Sequence, residues 1–356
     1  MQNFWEILPK PFFCLAPLAN VTDAAFRQLI AKYSKPAPVL RSLGEVGGPA
    51  VFYTEFVSAD GLCLANEEGR KKLMRDLVFS EGEHPIVAQF FTATPEHMEK
   101  AAAIAQELGF DGVDINMGCP DRTIEKQGAG AKLMLNPKLA QELIAAAKHG
   151  APELPISIKT RLGYNKDILD EWLSALLEAA PAAIAIHART RKEMSKVPAH
   201  WDRVKRAVEI RNSLQSKTLI IGNGDVKDLE DARTKAEESG ADGIMLGRAI
   251  FGTPWLFATE DAASEPITRF AHGSDSSAAS SSSEIINRLS IAVEHTKLFE
   301  KLLGDIKNFA IMKKHFKAYV EGFPGAKELR IELMEAKDAA EVAKVVENFL
   351  SKSALP

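Results

Sequence analysis

Eight short apolar runs recur along the first two thirds of the chain, at 12–15, 54–58, 85–91, 112–117, 156–161, 183–188, 218–222 and 243–246. Most are followed by a stretch of helical periodicity, and repeated strand-then-helix patterning predicts a parallel sheet. Eight repeats closing by about residue 257 match the length of a (β/α)8 TIM barrel. An open doubly wound sheet is the structural alternative, but no Gly-x-Gly-x-x-Gly follows the first strand. Thr94-Pro95 opens one predicted helix, running to Leu108, with a cap residue and a proline at its first position; Asn136-Pro137 opens another. The spacing of Leu139, Leu143 and Ile144 gives the second a buried face.

Beyond the eighth run the pattern changes. The stretch 273–283 is mostly serine, too polar to pack. From Glu284 the periodicity is helical, with Ile291, His295, Leu298 and Leu302 predicted on one face and a break at Gly322-Phe-Pro-Gly325. The predicted division is a barrel over 1–260, a linker or loop over 261–283, and a small all-α helical bundle over 284–356.

At 356 residues with 46% hydrophobic content, the chain has ample material for such a core. Three cysteines without paired spacing argue against a disulfide framework or a zinc ribbon, and no metal is expected. The amino terminus has neither a basic leader nor a long apolar run, and nothing approaches the length of a membrane span, so a soluble, cytoplasmic protein is expected, without membrane partners and as a monomer. A net charge of −4 excludes a uniformly basic nucleic-acid binder, yet eight cations against four carboxylates between Lys297 and Arg330 leave a local +4. Such a patch is either a solvated helix face or an RNA-binding surface.

The chemistry concentrates at the carboxyl ends of the predicted strands, where barrels of this kind keep their active sites. There lie Pro17-Leu18-Ala19, Gln89, Asn116 with Cys119, Lys159 with Arg161, His187 with Arg189, Asn223-Gly224-Asp225 and Gly247-Arg248. Cys119 alone would read as one more buried small residue. Its setting changes that: Pro120 stops the strand, and Gly128 and Gly130 allow a tight turn or close approach to a bound ring. The last two groups follow strands seven and eight, where a phosphate commonly rests on backbone amides and a short extra helix, a role that 249–257 can fill. A flavin mononucleotide (FMN) suits this ring. Its phosphate would take the Gly224 and Gly247 amides with Arg248, Lys159 would offset negative charge on the reduced ring, and Gln89 would offer donor and acceptor to the ring edge. Singly, Lys159 could merely snorkel and His187 could be a core histidine.

The segments Ala16-Pro-Leu-Ala-Asn-Val-Thr-Asp23, Thr54-Glu-Phe-Val-Ser-Ala59, Asn116-Met-Gly-Cys-Pro120, Lys159-Thr-Arg161, His187-Ala-Arg-Thr190, Asn223-Gly-Asp225 and Gly247-Arg248 together resemble the tRNA-dihydrouridine synthases. Lys314-His-Phe-Lys-Ala-Tyr319 through Arg330 resembles that family's helical domain. The resemblance implies an FMN-dependent barrel and a tRNA-binding helical domain that together reduce a uridine in tRNA to 5,6-dihydrouridine. NADPH or NADH would serve as reductant, a hydride would reach C6, and Cys119 would be the general acid at C5. It also implies that Pro17, Leu18, Ala19, Gln89, Lys159, His187, Asn223, Gly224, Asp225, Gly247 and Arg248 hold the flavin, and that Asn116 and Arg161 face the uracil. A free thiol, with a pKa of roughly 8.5, is mostly protonated near neutrality and able to donate. Lys313, Lys314 and Lys317, in the basic tract, are the candidate tRNA contacts.

The chain departs from the family pattern at Ala188, commonly glycine, at Leu18 and Asn20, commonly methionine and glycine, and in Phe91-Thr-Ala-Thr94, which lacks the usual glycine. The loop from Arg191 to His200 also lacks the frequent Tyr-Ser-Gly sequence. None of these removes a charged or acid group. Three other functions remain open on the residues alone: a flavin barrel acting on a free pyrimidine or enone, as dihydroorotate dehydrogenases do; a non-catalytic RNA-binding barrel; and an aldolase using Lys159 as a Schiff base.

Overall fold

The structure, a computed structural model, describes residues 3–34, 49–258 and 282–352. They divide into two compact units.

The first unit comprises the described parts of 1–17, 49–78 and 83–248. Its strands are β1 (Phe12–Leu15), β2 (Phe52–Tyr53), β3 (Val57–Ser58), β4 (Ile86–Phe91), β5 (Gly112–Asn116), β6 (Ile156–Arg161), β7 (Ala183–His187), β8 (Leu219–Asn223) and β9 (Gly243–Leu246). All pairings are parallel, in the order β1-β9-β8-β7-β6-β5-β4-β2, with β3 also on β4. A parallel bridge from Cys14 to Val51 brings β1 beside the start of β2, so the sheet returns on itself as the expected (β/α)8 barrel. Strands wrapped by helices are buried on both faces, and the uninterrupted burial of β4, β5, β8 and β9 follows from this.

Three expectations shift. The second strand, expected over 54–58, is two short pieces around Thr54, Glu55 and Phe56, and the Thr54 hydroxyl takes the Gln89 amide at 3.0 Å. The extra helix expected over 249–257 is a single 3-10 turn, Arg248–Ile250, followed by isolated turns. Gly252 sits there at a φ of 74° and Pro254 has no amide to donate, so a helix cannot propagate. The helix expected from Pro95 to Leu108 is Pro95–Glu107, and that at Asn136 is Pro137–Gly150, with Leu143 and Ile144 buried.

The second unit comprises the described parts of 18–48, 79–82 and 249–356. Its helices are Ala24–Ser34, Ser282–Leu303, Lys313–Tyr319, Ala326–Glu335 and Ala339–Lys352. A cut at residue 260 therefore does not describe the chain, because Ala24–Ser34 packs with the C-terminal helices. Phe26 stacks on His295 with centroids 4.8 Å apart and meets His315 edge-on at 4.7 Å, while Lys32 pairs with Glu294 at 2.6 Å. His295 and His315 are fully buried; His295 Nδ1 lies 3.3 Å from the Tyr319 hydroxyl. The buried stripe of Ser282–Leu303 runs through Ile285, Leu289, Ala292, His295, Phe299 and Leu303, so its last turns bury Phe299 and Leu303 where Leu298 and Leu302 were expected. Most of the serine-rich stretch lies outside the described residues, and Ser282 and Ser283 already belong to this helix. No helix among the described residues is long and apolar enough to cross a membrane.

Candidate functional site

Of the residues expected at the site, Gln89, Asn116, Lys159, Arg161, His187 and Asn223 stand near or at the carboxyl ends of β4 to β8, and Cys119 follows β5 by three residues. Beneath the mouth lies a polar network. Gln89 Nε2 donates to Asp114 Oδ2 at 2.7 Å, Ser157 Oγ donates to Asp114 Oδ1 at 2.7 Å, and Asn116 Nδ2 donates to Gln89 Oε1 at 3.1 Å. Burial raises the Asp114 carboxyl to about 6, against the lowering effect of the Ser157 and Gln89 hydrogen bonds. Gln89 is fully buried, so its carboxamide keeps only one hydrogen and one lone pair in reserve for a ligand. The reading of Gln89 as an open ring-edge partner is reduced to that extent.

Asn116 has a role that the sequence did not reveal. Its Oδ1 accepts from the Gly118 amide at 3.2 Å and the Cys119 amide at 2.9 Å, closing the turn that presents the thiol. The loop is held from the far side by the Ala131 amide, which donates to the Cys119 carbonyl at 2.9 Å. Gly130, at a φ of 61°, permits this: a Cβ there would lie 2.8 Å from that same carbonyl oxygen. The Cys119 side chain packs on Phe91, Ile124 and Ala129. That burial raises the thiol pKa above its ordinary value, while a hydrogen bond from the Asp121 backbone works the other way. Cys14, by contrast, is wholly buried in β1, and Cys63 is half-buried.

Across the mouth, Lys159 Nζ donates to Asn223 Oδ1 at 3.1 Å. Burial, with the Arg161 charge adding, lowers the ammonium to about 8. Arg161 itself is largely committed to backbone: Nε donates to the Gly118 carbonyl at 2.9 Å, and Nη1 to the Thr190 and Met194 carbonyls at 3.3 and 3.0 Å. His187 is held neutral, first by burial and then by the charges of Arg161, Lys159, Arg189 and Arg248. Its Nε2 faces Arg189 Nη1 at 3.0 Å, which assigns the ring proton to Nδ1. Asp225 bridges two cations, taking Arg189 Nη2 on one oxygen and Arg248 Nη2 at 2.6 Å on the other. Gly224 and Asp225 both adopt left-handed φ, 131° and 52°. The Gly224 carbonyl accepts from Trp201 Nε1 at 3.0 Å.

Sequence reasoning passed over three side chains of this network: Asp114, buried beneath the mouth, and the pair Glu125 and Arg191, joined by two hydrogen bonds. Only a carboxylate inside an apolar strand hinted at the first, and nothing local links the other two. Pro17 ends the first unit. Leu18 and Ala19 open the second, where the Leu18 amide donates to Thr22 Oγ1 at 2.8 Å. Lys314 and Lys317 are exposed and Lys313 half-exposed on helix Lys313–Tyr319.

Comparison with known proteins gives the geometry its context. The dihydrouridine synthase (Dus) family matches residues 14–354. A probable tRNA-dihydrouridine synthase of Staphylococcus aureus is 38% identical over 350 residues, covering 98% of this chain and 96% of its own. A probable tRNA-dihydrouridine synthase 2 of Bacillus subtilis is 38% identical over 352 residues, covering 99% and 98%. Among solved structures, histamine dehydrogenase from a Rhizobium species superposes with a TM-score of 0.52 at 12% identity, over 83% of this chain. This chain spans 51% of that enzyme's length, and the likeness is one of fold. By sequence match over nearly its whole length, the chain belongs to the dihydrouridine synthase family.

Proposed function

We propose that this chain reduces a uridine of tRNA to 5,6-dihydrouridine on a flavin mononucleotide held in the barrel mouth, with Cys119 as the proton donor. The observation that carries this reading is a cysteine, its turn closed by Asn116 at the end of β5, in a strand-end ring that also holds Lys159, Arg161 and Arg248. The donor set fits an anionic cofactor: cationic Lys159 and Arg248, a neutral His187 with one N–H, and the amide of Gly224, in a turn whose left-handed φ favours glycine. Pro17, Leu18, Ala19, Gln89, Asn223 and Gly247 complete the proposed flavin contacts. When bound and reduced by NADPH or NADH, the flavin supplies the hydride that uracil C6 receives.

The remaining steps belong to side chains of this protein. Arg161 holds the Gly118 carbonyl beside Cys119 through Nε and the Thr190 and Met194 carbonyls through Nη1, and its Nη2 is the part of the guanidinium proposed to meet a uracil oxygen. Asn116 acts on the uracil indirectly, by setting the Cys119 turn, and directly through its second amide hydrogen. Cys119 gives its proton to C5, and the thiolate left behind recovers one from water. Burial of the thiol keeps that proton in place near neutral pH.

The target base has to leave its stack to reach the mouth, which costs a few kcal/mol, so contacts elsewhere on the tRNA offset it. Lys313, Lys314 and Lys317 are proposed to make such contacts with phosphates. A tRNA substrate is in keeping with a cytoplasmic protein, and a monomer is proposed.

The test is the visible spectrum of the purified protein, followed by the dihydrouridine content of unmodified tRNA after incubation with NADPH, for wild type and Cys119→Ala. A flavin spectrum in both, with product falling by about 10²–10⁴-fold in the variant, is expected for loss of a general acid. A colourless protein, or turnover of free uridine or orotate in place of tRNA, would overturn the proposal.

A further inference from the structure

The segments that leave β5, β6 and β7 are tied together by one ion pair and its surroundings. Glu125 lies on the short helix Arg122–Lys126 that follows Cys119, and Arg191 lies on the loop after β7. Arg191 Nε donates to Glu125 Oε1 at 2.6 Å and Arg191 Nη2 donates to Glu125 Oε2, a two-point pairing. The Glu125 side chain is only 9% exposed, so water competes weakly for it. Tyr164, after β6, lies under both Arg191 and Lys132, whose charges are 5.0 and 5.3 Å from the ring centroid. The backbone joins in, with the Arg191 amide donating to the Gly163 carbonyl at 2.8 Å and the Lys192 amide to the Tyr164 carbonyl at 2.9 Å.

This arrangement brackets the thiol. On one side of Cys119, Arg161 ties the Gly118 carbonyl to those of Thr190 and Met194; on the other, Glu125 is tied to Arg191 of the same loop. Ile124, next to Glu125, is among the side chains on which Cys119 packs. Any drift of Glu125 therefore moves the surface that supports the sulfur.

We infer that the Arg191–Glu125 pair is a clasp that sets the position of the Cys119 thiol for proton delivery, which makes both partners positioning residues. The inference rests on Cys119 as the proton donor. An ordinary exposed ion pair is worth little, but displacing a reacting group by 1 Å can slow a reaction by about 10²-fold.

The experiment uses the full chain with Cys63→Ser, so that Cys119 is the accessible thiol, and compares Arg191→Gln with the charge-exchanged pair Arg191→Glu/Glu125→Arg. Two quantities are read: the rate of Cys119 alkylation by iodoacetamide, and kcat and KM on unmodified tRNA. In Arg191→Gln the alkylation rate is expected to rise about fivefold and kcat to fall about tenfold, with KM within about twofold; the exchanged pair is expected to recover most of both. Wild-type alkylation and kcat in Arg191→Gln would overturn the clasp, as would an effect confined to KM or an exchanged pair no better than the single variant. If the wild type itself makes no dihydrouridine, the proposed function fails, and the alkylation contrast alone decides the clasp.

Discussion

Lys159 and Asn223 meet across a strand. The ammonium on β6 donates to Oδ1 on β8 at 3.1 Å, with β7 between them, and Asn223 Nδ2 passes the connection on to the Met245 carbonyl of β9 at 2.8 Å. Side chains from alternate strands share a layer inside such barrels, so a carboxamide two strands away holds the lysine.

The first prediction concerns its charge. With the ammonium lowered to about 8, Lys159 is cationic at neutrality and loses its proton as pH rises through that value. Burial pushes the Cys119 thiol the opposite way, so Cys119 keeps its proton over the same range. The alkaline limb of kcat/KM is therefore expected to fall near pH 8 and to move upward in Lys159→Arg. A limb unmoved by that substitution would assign it to another group.

Gly224 supplies the second. A Cβ there would stand 2.9 Å from Ala199 Cβ and 3.3 Å from His187 Cδ2, at a φ of 131° that L side chains rarely adopt. Gly224→Ala is expected to cost about 1–3 kcal/mol in urea unfolding and to weaken flavin binding about tenfold, measured by fluorescence titration. Unchanged flavin affinity would separate this turn from the cofactor.

A third prediction tests the basic helix. Reversal of Lys313, Lys314 and Lys317 to Glu is expected to weaken tRNA binding by about tenfold or more at physiological salt, and to flatten the dependence of affinity on salt. The flavin spectrum should not change. Equal affinity for wild type and variant in a filter-binding assay would remove these lysines from the interface.

The fourth lies in the helical unit. Burial, with the Lys314 charge adding, lowers His315 to about 3, and His295 beside it is also held well below its ordinary value. Between about 6.5 and 3 the unfolded chain binds protons that the folded chain refuses, so this contribution to stability is complete above 6.5 and is lost on acidification. The slope is at most about 1.4 kcal/mol per pH unit for each imidazole. Denaturation midpoints at pH 7 and pH 5 should differ less in His315→Phe, which keeps the ring against Phe26; an equal difference would discard the explanation.

Much of the barrel was legible because a parallel strand buried on both faces reads as a short apolar run. Phe12–Leu15, Ile156–Arg161 and Gly243–Leu246 have the expected bounds. The second strand misled because Thr54 and Glu55 are buried polar residues, and periodicity does not reveal where a ladder breaks. The company kept by Ala24–Ser34 was equally hidden: it depends on Phe26 meeting His295 and His315, contacts hundreds of residues apart in sequence. At the site, the strand-end side chains could be named from the motif spacing. What each one holds could not, since Asn116 closing the Cys119 turn and Asp225 bridging two arginines depend on loop geometry.

The seat of Cys119 on Phe91, Ile124 and Ala129 also bears on how the protein ages. Peroxides and disulfides react with thiolates, and a sulfur whose ionisation is suppressed by burial offers few of them. The apolar seat that keeps a proton ready for transfer thereby shields the same atom from oxidation. Wear at this position is then governed by how often the loop lifts off its seat, so oxidative lifetime becomes a measure of loop opening.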